Sequence, residues 1–428
     1  MMIMKHCLKP SLLAVIAAAM IWLSPAASAQ DSKSGPKLTT VYRTHYIPKF
    51  PQKRAMNGRF RDRLVALQEK ALAKNRAGQD TPCTSQLLKE ARWLMNYTQR
   101  IDDMEAMLAE LKDSLAVEDQ SFTLRQAPTD GSWGVCHKEW FFRLHTSVDP
   151  IKELINVGKV PERALGFLEP VNTPLKLRAV MEGLLISDME TEGVNHRKEL
   201  NLVVTGLGQL LFLPKLAHIY PADFPRQELA QELIDFMDNR WQDKETGYWG
   251  AWYKVDGEIK KANDLSITFH VVSYRQDDPP RMDEMADTLF STRTLKYPYG
   301  WRDRGRQNNH HAYDVVRLLR RSWPYLDLNQ QARGSAQLVL MLARSLGLSI
   351  DHQGHMVDTA YESVSEAYYF GVSFLDEIGY FRDSQRFWSA LQMDGAEQIR
   401  DRLEQHLVAL NSETPMAVAA LRKLRLRD

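Results

Sequence analysis

The sequence contains little cysteine, no excess of either charge and, beyond its N-terminus, no long apolar run. Three cysteines occur in 428 residues, and 55 Lys and Arg balance 54 Asp and Glu to a formal net charge of +1. The balanced charge excludes the strong basic excess that general nucleic-acid binding needs. No later stretch approaches the ~20 apolar residues of a membrane-spanning helix. The 44% apolar composition indicates a globular protein rather than a disordered, collagenous or coiled-coil chain.

The N-terminus has the pattern of a cleaved secretory signal. Two lysines precede an apolar run from Leu12 to Leu23, and the small residues Ala27 to Ala29 follow. We predict a signal peptide over residues 1–29, a mature start at Gln30, and a periplasmic or secreted protein with no membrane association in its mature form.

The predicted export determines whether the cysteines can form a disulfide. Cys7 lies in the predicted signal, which leaves Cys83 and Cys136 in the mature chain. An oxidising compartment permits these two to form a disulfide, and we favour that pairing over two separately buried thiols.

Apolar residues recur at helical spacing along the whole chain. Ile101 to Leu115 advances by three and four residues, as do Leu229 to Phe236, Met282 to Leu289 and Ile399 to Leu410. Leu338 to Leu346 does the same before Gly347, a predicted helix stop. Alternating β-type runs and glycine-rich phosphate loops are scarce. The sequence therefore predicts an all-α fold.

An all-α chain of this length buries both faces of its helix pairs if antiparallel hairpins close into an (α/α) toroid, here an incomplete barrel of helical hairpins with a central cleft. Residues 30–80 are basic, contain proline and show little periodicity. We expect them to form an extended arm or lid, and residues 81–428 to form the helical catalytic domain.

Aromatic residues concentrate where loops are expected. The segments 241–253 and 297–313 contain Trp249, Trp252 and Trp301. Rigid aromatic faces beside hydrogen-bonding groups suit the apolar and polar sides of sugar rings, which predicts carbohydrate binding. The alternative is that the tryptophans pack between helices.

An amide, an imidazole and a phenol stand together in Asn308-Asn309-His310 and Tyr313, close to a helix expected to begin near Ala312. β-Elimination of a uronic acid needs such groups. Amide or cationic donors must stabilise the enolate-like intermediate, a neutral His or an ionised Tyr removes the C5 proton, and a Tyr hydroxyl or water protonates the leaving oxygen.

The run Asn308-Asn309-His310-His311-Ala312-Tyr313 resembles the Asn-Asn-His-x-Tyr-Trp signature of (α/α)-toroid lyases that act on alginate and glucuronan. An extra residue separates His310 from Tyr313, and Asp314 stands where the signature continues with Trp. The resemblance implies that Asn309 neutralises the uronate carboxylate and that His310 is the base or a carboxylate partner.

Those lyases also use a Tyr and an Arg from a helix further along the chain. Tyr361 matches the position of the Tyr, but no Arg accompanies it. The cation is therefore expected from Arg275, Arg302 or Arg304. Tyr313 or Tyr361 is expected to deliver the proton to the leaving oxygen. Asn308 is expected to help bind the substrate.

A second candidate site lies at His270 and Tyr274. Four residues separate them, so on a helix the two side chains face the same way. We expect His270 to take part in catalysis and Tyr274 in substrate binding.

Other chemistries remain open from the sequence. A hydrolase of the same toroid class would use two carboxylates, for which the chain offers Asp243, Glu245, Asp264, Asp358, Glu362 and Glu366. A non-catalytic glycan-binding protein would use the aromatic loops alone. The spacing of His352, His355 and Asp358 also suggests a possible metal site.

The favoured interpretation is an exported polysaccharide lyase that acts on an acidic polysaccharide and needs no metal or cofactor. The uronan and the oligomeric state stay undetermined.

Overall fold

The structure, a computed structural model, describes residues 53–255, 258–303 and 305–427. The predicted signal peptide, Gln30 and the rest of the arm up to residue 52 lie outside the described residues. The described chain is mainly helical, as predicted. Its α-helices are α1 (Lys53–Arg76), α2 (Pro82–Tyr97), α3 (Ile101–Ser114), α4 (Trp140–Asn156), α5 (Pro174–Leu185), α6 (Arg197–Phe212), α7 (Arg226–Asp235), α8 (Leu265–Tyr274), α9 (Met282–Ser291), α10 (Asn309–Ser322), α11 (Leu328–Leu348), α12 (Val364–Glu377), α13 (Ala396–Ala409) and α14 (Pro415–Arg425).

A small sheet is the main non-helical element of the described residues. It consists of β1 (Ile186–Ser187), β2 (Trp252–Val255) and β3 (Glu258–Lys261). β1 pairs parallel with β2, and β2 pairs antiparallel with β3 so that Trp252 lies opposite Lys261. None of the described helices has both the length and the apolar character that a membrane span requires.

The helical spacings in the sequence coincide with α3, α7, α9, α11 and α13. The predicted stop at Gly347 is wrong by a residue, because α11 runs through it to Leu348. Gly347 does not have a positive φ. The left-handed conformation that makes glycine a helix terminator is therefore not used there.

Alternate helices form a closed series of contacts. α4 packs against α6, α6 against α8, α8 against α10, α10 against α12, α12 against α14, and α14 returns to α4. We call these helices the ring. α5 and α7 pack on α6, α9 and α11 pack on α10, and α13 packs on α14.

Three ring helices, α6, α8 and α12, are buried more completely than the others, whereas the ring helix α14 buries only one stripe. In α6 every residue except Lys198 is buried, and α8 and α12 are also buried on most sides. By contrast, α7, α11 and α13 bury a single stripe. α7, α11 and α13 are therefore amphipathic, whereas α6, α8 and α12 contact other parts of the protein on most sides.

The extended arm is a wrong prediction where the structure describes it, because Lys53–Arg76 is helical. Met56, Phe60 and Leu64 follow one another at four-residue spacing and are buried, so they form one face of α1. α1 packs against α2 and α3 and also contacts α12. These N-terminal helices are therefore packed onto the rest of the chain.

The predicted disulfide is confirmed. Cys83, in α2, and Cys136, in the loop before α4, form a disulfide with a Cα–Cα distance of 5.6 Å. The buried pair of Glu90 and His137 lies beside it, with 3.1 Å between the carboxylate Oε2 and Nδ1. The bond ties α2 to the loop that leads into the ring.

Candidate active site

The two asparagines shape the start of α10. The Asn308 side chain caps the helix by accepting the His310 backbone N–H at 3.0 Å. Asn309 is buried, and its amide oxygen accepts the Ser345 hydroxyl at 2.7 Å. The Asn309 backbone N–H donates to the Tyr361 hydroxyl at 2.9 Å. Asn308, Asn309 and Tyr361 thus hold the helix terminus in place, and the asparagine oxygens are engaged within the protein.

His310 follows these residues and is accessible to solvent. Its ring stacks on Phe370 at 4.1 Å, while 33% of its side chain remains exposed. Burial, followed by the charge of His311, lowers the pKa of His310 well below its ordinary value. The imidazole is therefore neutral near pH 7 and able to accept a proton.

A buried carboxyl group lies behind His310. Asp314 is fully buried, with Oδ1 3.8 Å from His310 Nε2 and Oδ2 accepting the Tyr297 hydroxyl at 2.7 Å. Burial raises the pKa of Asp314 well above its ordinary value. The Tyr297 ring also stacks on His311 at 3.6 Å. These contacts restrict the movement of the His310 side chain.

His270 and Tyr274 face the same way on α8, as predicted. The His270 Nδ1 and the Tyr274 hydroxyl are 3.3 Å apart. Burial lowers the pKa of His270 well below its ordinary value, and the nearby His310 lowers it further. Burial likewise raises the pKa of Tyr274, so its hydroxyl keeps its proton.

Further titratable residues join these from other ring helices. His145 of α4 and Lys198 of α6 are close enough for their charges to lower the pKa of His270. We call His145, Lys198, His270 and His310 the histidine cluster. Burial lowers the pKa of His145 to about 3. α4 and α8 both pack against α6, the helix that carries Lys198.

A pair of glutamates borders the histidine cluster at the start of α12. Glu362 accepts an ion pair from Arg92 at 2.7 Å, and Glu366 accepts one from Lys89 at 3.3 Å. Burial and the charge of Glu366 raise the pKa of Glu362. Burial alone would raise the pKa of Glu366 too, but Lys89 and a hydrogen bond from Glu362 outweigh it and lower that pKa.

Tyrosines from three ring helices form a second group, which we call the tyrosine cluster: Tyr274, Tyr313 and Tyr369. Tyr313 packs edge-on against Phe269 at 5.5 Å, and the Lys423 ammonium lies 5.7 Å from its ring centroid. Burial raises the pKa of all three phenols. They are protonated near neutral pH and are suited to donate a proton rather than to remove one.

The arginines expected to bind a carboxylate are not part of the histidine cluster. Arg275 is almost fully buried and forms ion pairs with Asp238 and Asp277. Arg302 is exposed at the surface. Arg304 lies outside the described residues.

The tryptophans expected to bind sugar are core residues here. Trp249 is fully buried and donates its indole N–H to the Met237 carbonyl at 2.8 Å. Trp252 is 6% exposed and lies beneath the cation of Arg240 at 4.8 Å. Trp301 is 9% exposed and packs against Phe290. All three tryptophans therefore pack in the protein core, as the alternative interpretation of the sequence expected.

The possible metal ligands do not converge. His355 stacks near His406 with 4.0 Å between ring centroids, whereas Asp358 forms an ion pair with Arg76. Among the described residues no group of three or more His, Cys, Asp or Glu side chains is arranged to hold a metal ion.

The sequence-based list of candidate site residues did not include His145 or Lys198. Both come from helices remote in sequence from residues 308–313, and neither belongs to a spacing motif. A weak signal was present for Lys198, since a lysine at the start of the long apolar run Leu200–Phe212 needs access to water. Comparison with protein families, curated proteins and solved structures found no match to this chain.

Proposed function

We propose that the protein is an exported polysaccharide lyase that cleaves a uronate-containing glycan of the alginate or glucuronan type by β-elimination. The proposal includes an (α/α) toroid as the architecture, which is supported by the contacts that lead from α4 around the ring and back to α4. The glycan would enter the interior of that toroid, where the histidine cluster and the tyrosine cluster are found.

One observation carries the proposal: the neutral His270 contacts the protonated Tyr274, and the charges of His310 and Lys198 act on His270. In β-elimination a base removes the C5 proton beside the uronate carboxylate, a C4–C5 double bond forms, and the C4–O bond breaks. The neutral, partly exposed His310 is the base. A phenol of Tyr313 or Tyr274, both of which are protonated near neutral pH, protonates the departing oxygen.

Glycoside hydrolysis is the second candidate, because Glu362 has a raised pKa beside the ionised Glu366. A raised pKa suits a general acid. The two carboxyl groups, however, are hydrogen-bonded to each other. Glycosidase carboxyls lie about 5–9.5 Å apart, across the bond that is cut. Elimination therefore fits the arrangement better.

The test is to offer alginate, glucuronan, pectate and hyaluronan to the purified mature protein and follow near-ultraviolet absorbance. A lyase creates a double bond conjugated to the carboxylate, which absorbs there. His310→Ala should lower turnover about 10²- to 10⁴-fold with the fold intact by circular dichroism. The exposed His352→Ala is the matched control and should keep full activity.

Each other outcome contradicts the proposal in a different way. Reducing ends without absorbance would indicate the hydrolase. Binding to a glycan without any cleavage would indicate a carbohydrate-binding protein. Full activity in His310→Ala would remove this residue from the mechanism.

A further inference from the structure

Elimination requires a positive charge at the uronate carboxylate, because the intermediate carries extra negative charge on that group. Lys198 is in a position to supply it. It is the second residue of α6, and all other residues of that helix are buried. α6 packs against α4 and α8, the ring helices that carry His145 and His270.

Lys198 differs from the neighbouring cations in having no partner. Arg197 donates to Asp264 at 2.9 Å, and Lys89 lies 3.3 Å from Glu366. Among the described residues, no side chain forms a hydrogen bond or an ion pair with the Lys198 ammonium. A largely desolvated charge without a partner costs free energy, so an anionic ligand would relieve this cost.

Glu362 and Glu366 act on the charge of Lys198, but their ion pairs are with Arg92 and Lys89. The charge of Lys198 acts on His145, His270 and His310, which belong to three different ring helices. All three imidazoles are neutral near pH 7 because their pKa values are lowered. Burial, then the charges of Arg197 and Lys89, lowers the pKa of Lys198 to about 8. The ammonium is still charged at neutral pH.

We propose that Lys198 binds the carboxylate of the uronic acid residue at which elimination occurs. The inference rests on the proposed function and deepens it, because it assigns the substrate carboxylate to a particular ammonium. A carboxylate held at Lys198 brings the adjoining C5 proton toward His310, which lies within the electrostatic range of Lys198. The site then selects uronic acids over neutral sugars.

The pH dependence of kcat/KM tests this assignment. Because the pKa of Lys198 is lowered, its charge is present below about pH 8 and is lost as the pH rises through that value. The kcat/KM of the wild type should therefore fall as the pH rises above about 8, and this fall is the alkaline limb of its pH profile. Lys198→Arg keeps its charge and should shift the limb to higher pH, while Lys198→Met should lower kcat/KM about 10²- to 10³-fold. The control Lys176→Met, at an ion pair on α5, should resemble wild type.

Calorimetry with monomeric sugars separates this inference from the proposed function. D-Glucuronate should bind the wild type but not Lys198→Met, and D-glucose should bind neither. If glucuronate shows this pattern but no uronan is cleaved, the carboxylate site stands and the lyase proposal fails. If a uronan is cleaved and Lys198→Met retains wild-type kcat/KM and glucuronate affinity, the assignment of Lys198 is overturned while the lyase proposal stands.

Discussion

His145 should make the protein less stable in acid, and its pKa determines the size of the effect. Burial, followed by the charges of Lys198 and Lys89, lowers the pKa of His145 from 6.5 to about 3. In the unfolded chain the imidazole titrates at about 6.5. Between these two values the unfolded state binds more protons than the folded state. The contribution of His145 to folding stability is therefore lost as the pH falls below the unfolded value.

The expected magnitude follows from this difference. Each pH unit below the unfolded pKa costs about 1.4 kcal/mol, so moving from pH 7.5 to about pH 5 costs about 2 kcal/mol for a fully shielded imidazole. His145 is partly exposed to solvent, which reduces the expectation to about 1–2 kcal/mol. This loss of stability does not depend on the exact pKa of His145 in the folded state, provided that this pKa stays well below about 5.

The assay is urea denaturation of the wild type and His145→Asn at both pH values, followed by far-ultraviolet circular dichroism. The variant should lose about 1–2 kcal/mol less than the wild type between the higher and the lower pH. His196→Asn is a control of opposite sign. Burial alone would lower the pKa of His196, but Glu199 and Glu192 outweigh it and raise that pKa. His196 therefore stabilises the fold in acid. An unchanged pH dependence in His145→Asn would refute the reasoning.

Two further predictions concern stability near the site. Asn309→Ala should lower the free energy of unfolding by about 1–3 kcal/mol, because it leaves buried hydroxyl groups without their acceptor. Urea denaturation measures this, and a fully stable variant with reduced activity would instead assign Asn309 to the substrate. Reducing the bond between Cys83 and Cys136 should cost about 4 kcal/mol, because it releases a loop with a sequence separation of 53 residues. Denaturation with and without dithiothreitol tests this, and equal midpoints would contradict it.

Local features of the chain were predictable from the sequence because they depend on neighbours a few residues away. The three- and four-residue spacing of Ile101 to Leu115 predicted α3, and the separation of His270 and Tyr274 predicted that they share a face. The cysteine pairing followed from the small number of cysteines rather than from spacing.

The N-terminal arm shows where this reasoning failed locally. Met56, Phe60 and Leu64 carry the four-residue spacing of a helix, but the surrounding basic residues dilute the apolar pattern of α1. Packing against α2 and α3 supplies the burial that stabilises the helix. A helix in water depends on such tertiary contacts more than on its own propensity.

The sequence by itself determined the helical class, the disulfide partners and the common face of His270 and Tyr274. Only the tertiary structure decided that Trp249 belongs to the core, that Arg275 pairs with Asp238 and Asp277, and that the charges of His145, Lys198 and His310 act on His270. The physical reason is the separation along the chain between the residues that interact. Periodicity reports contacts within one helix, whereas burial, ion pairing and the pKa shifts they cause depend on side chains that different helices bring together across the interior of the ring.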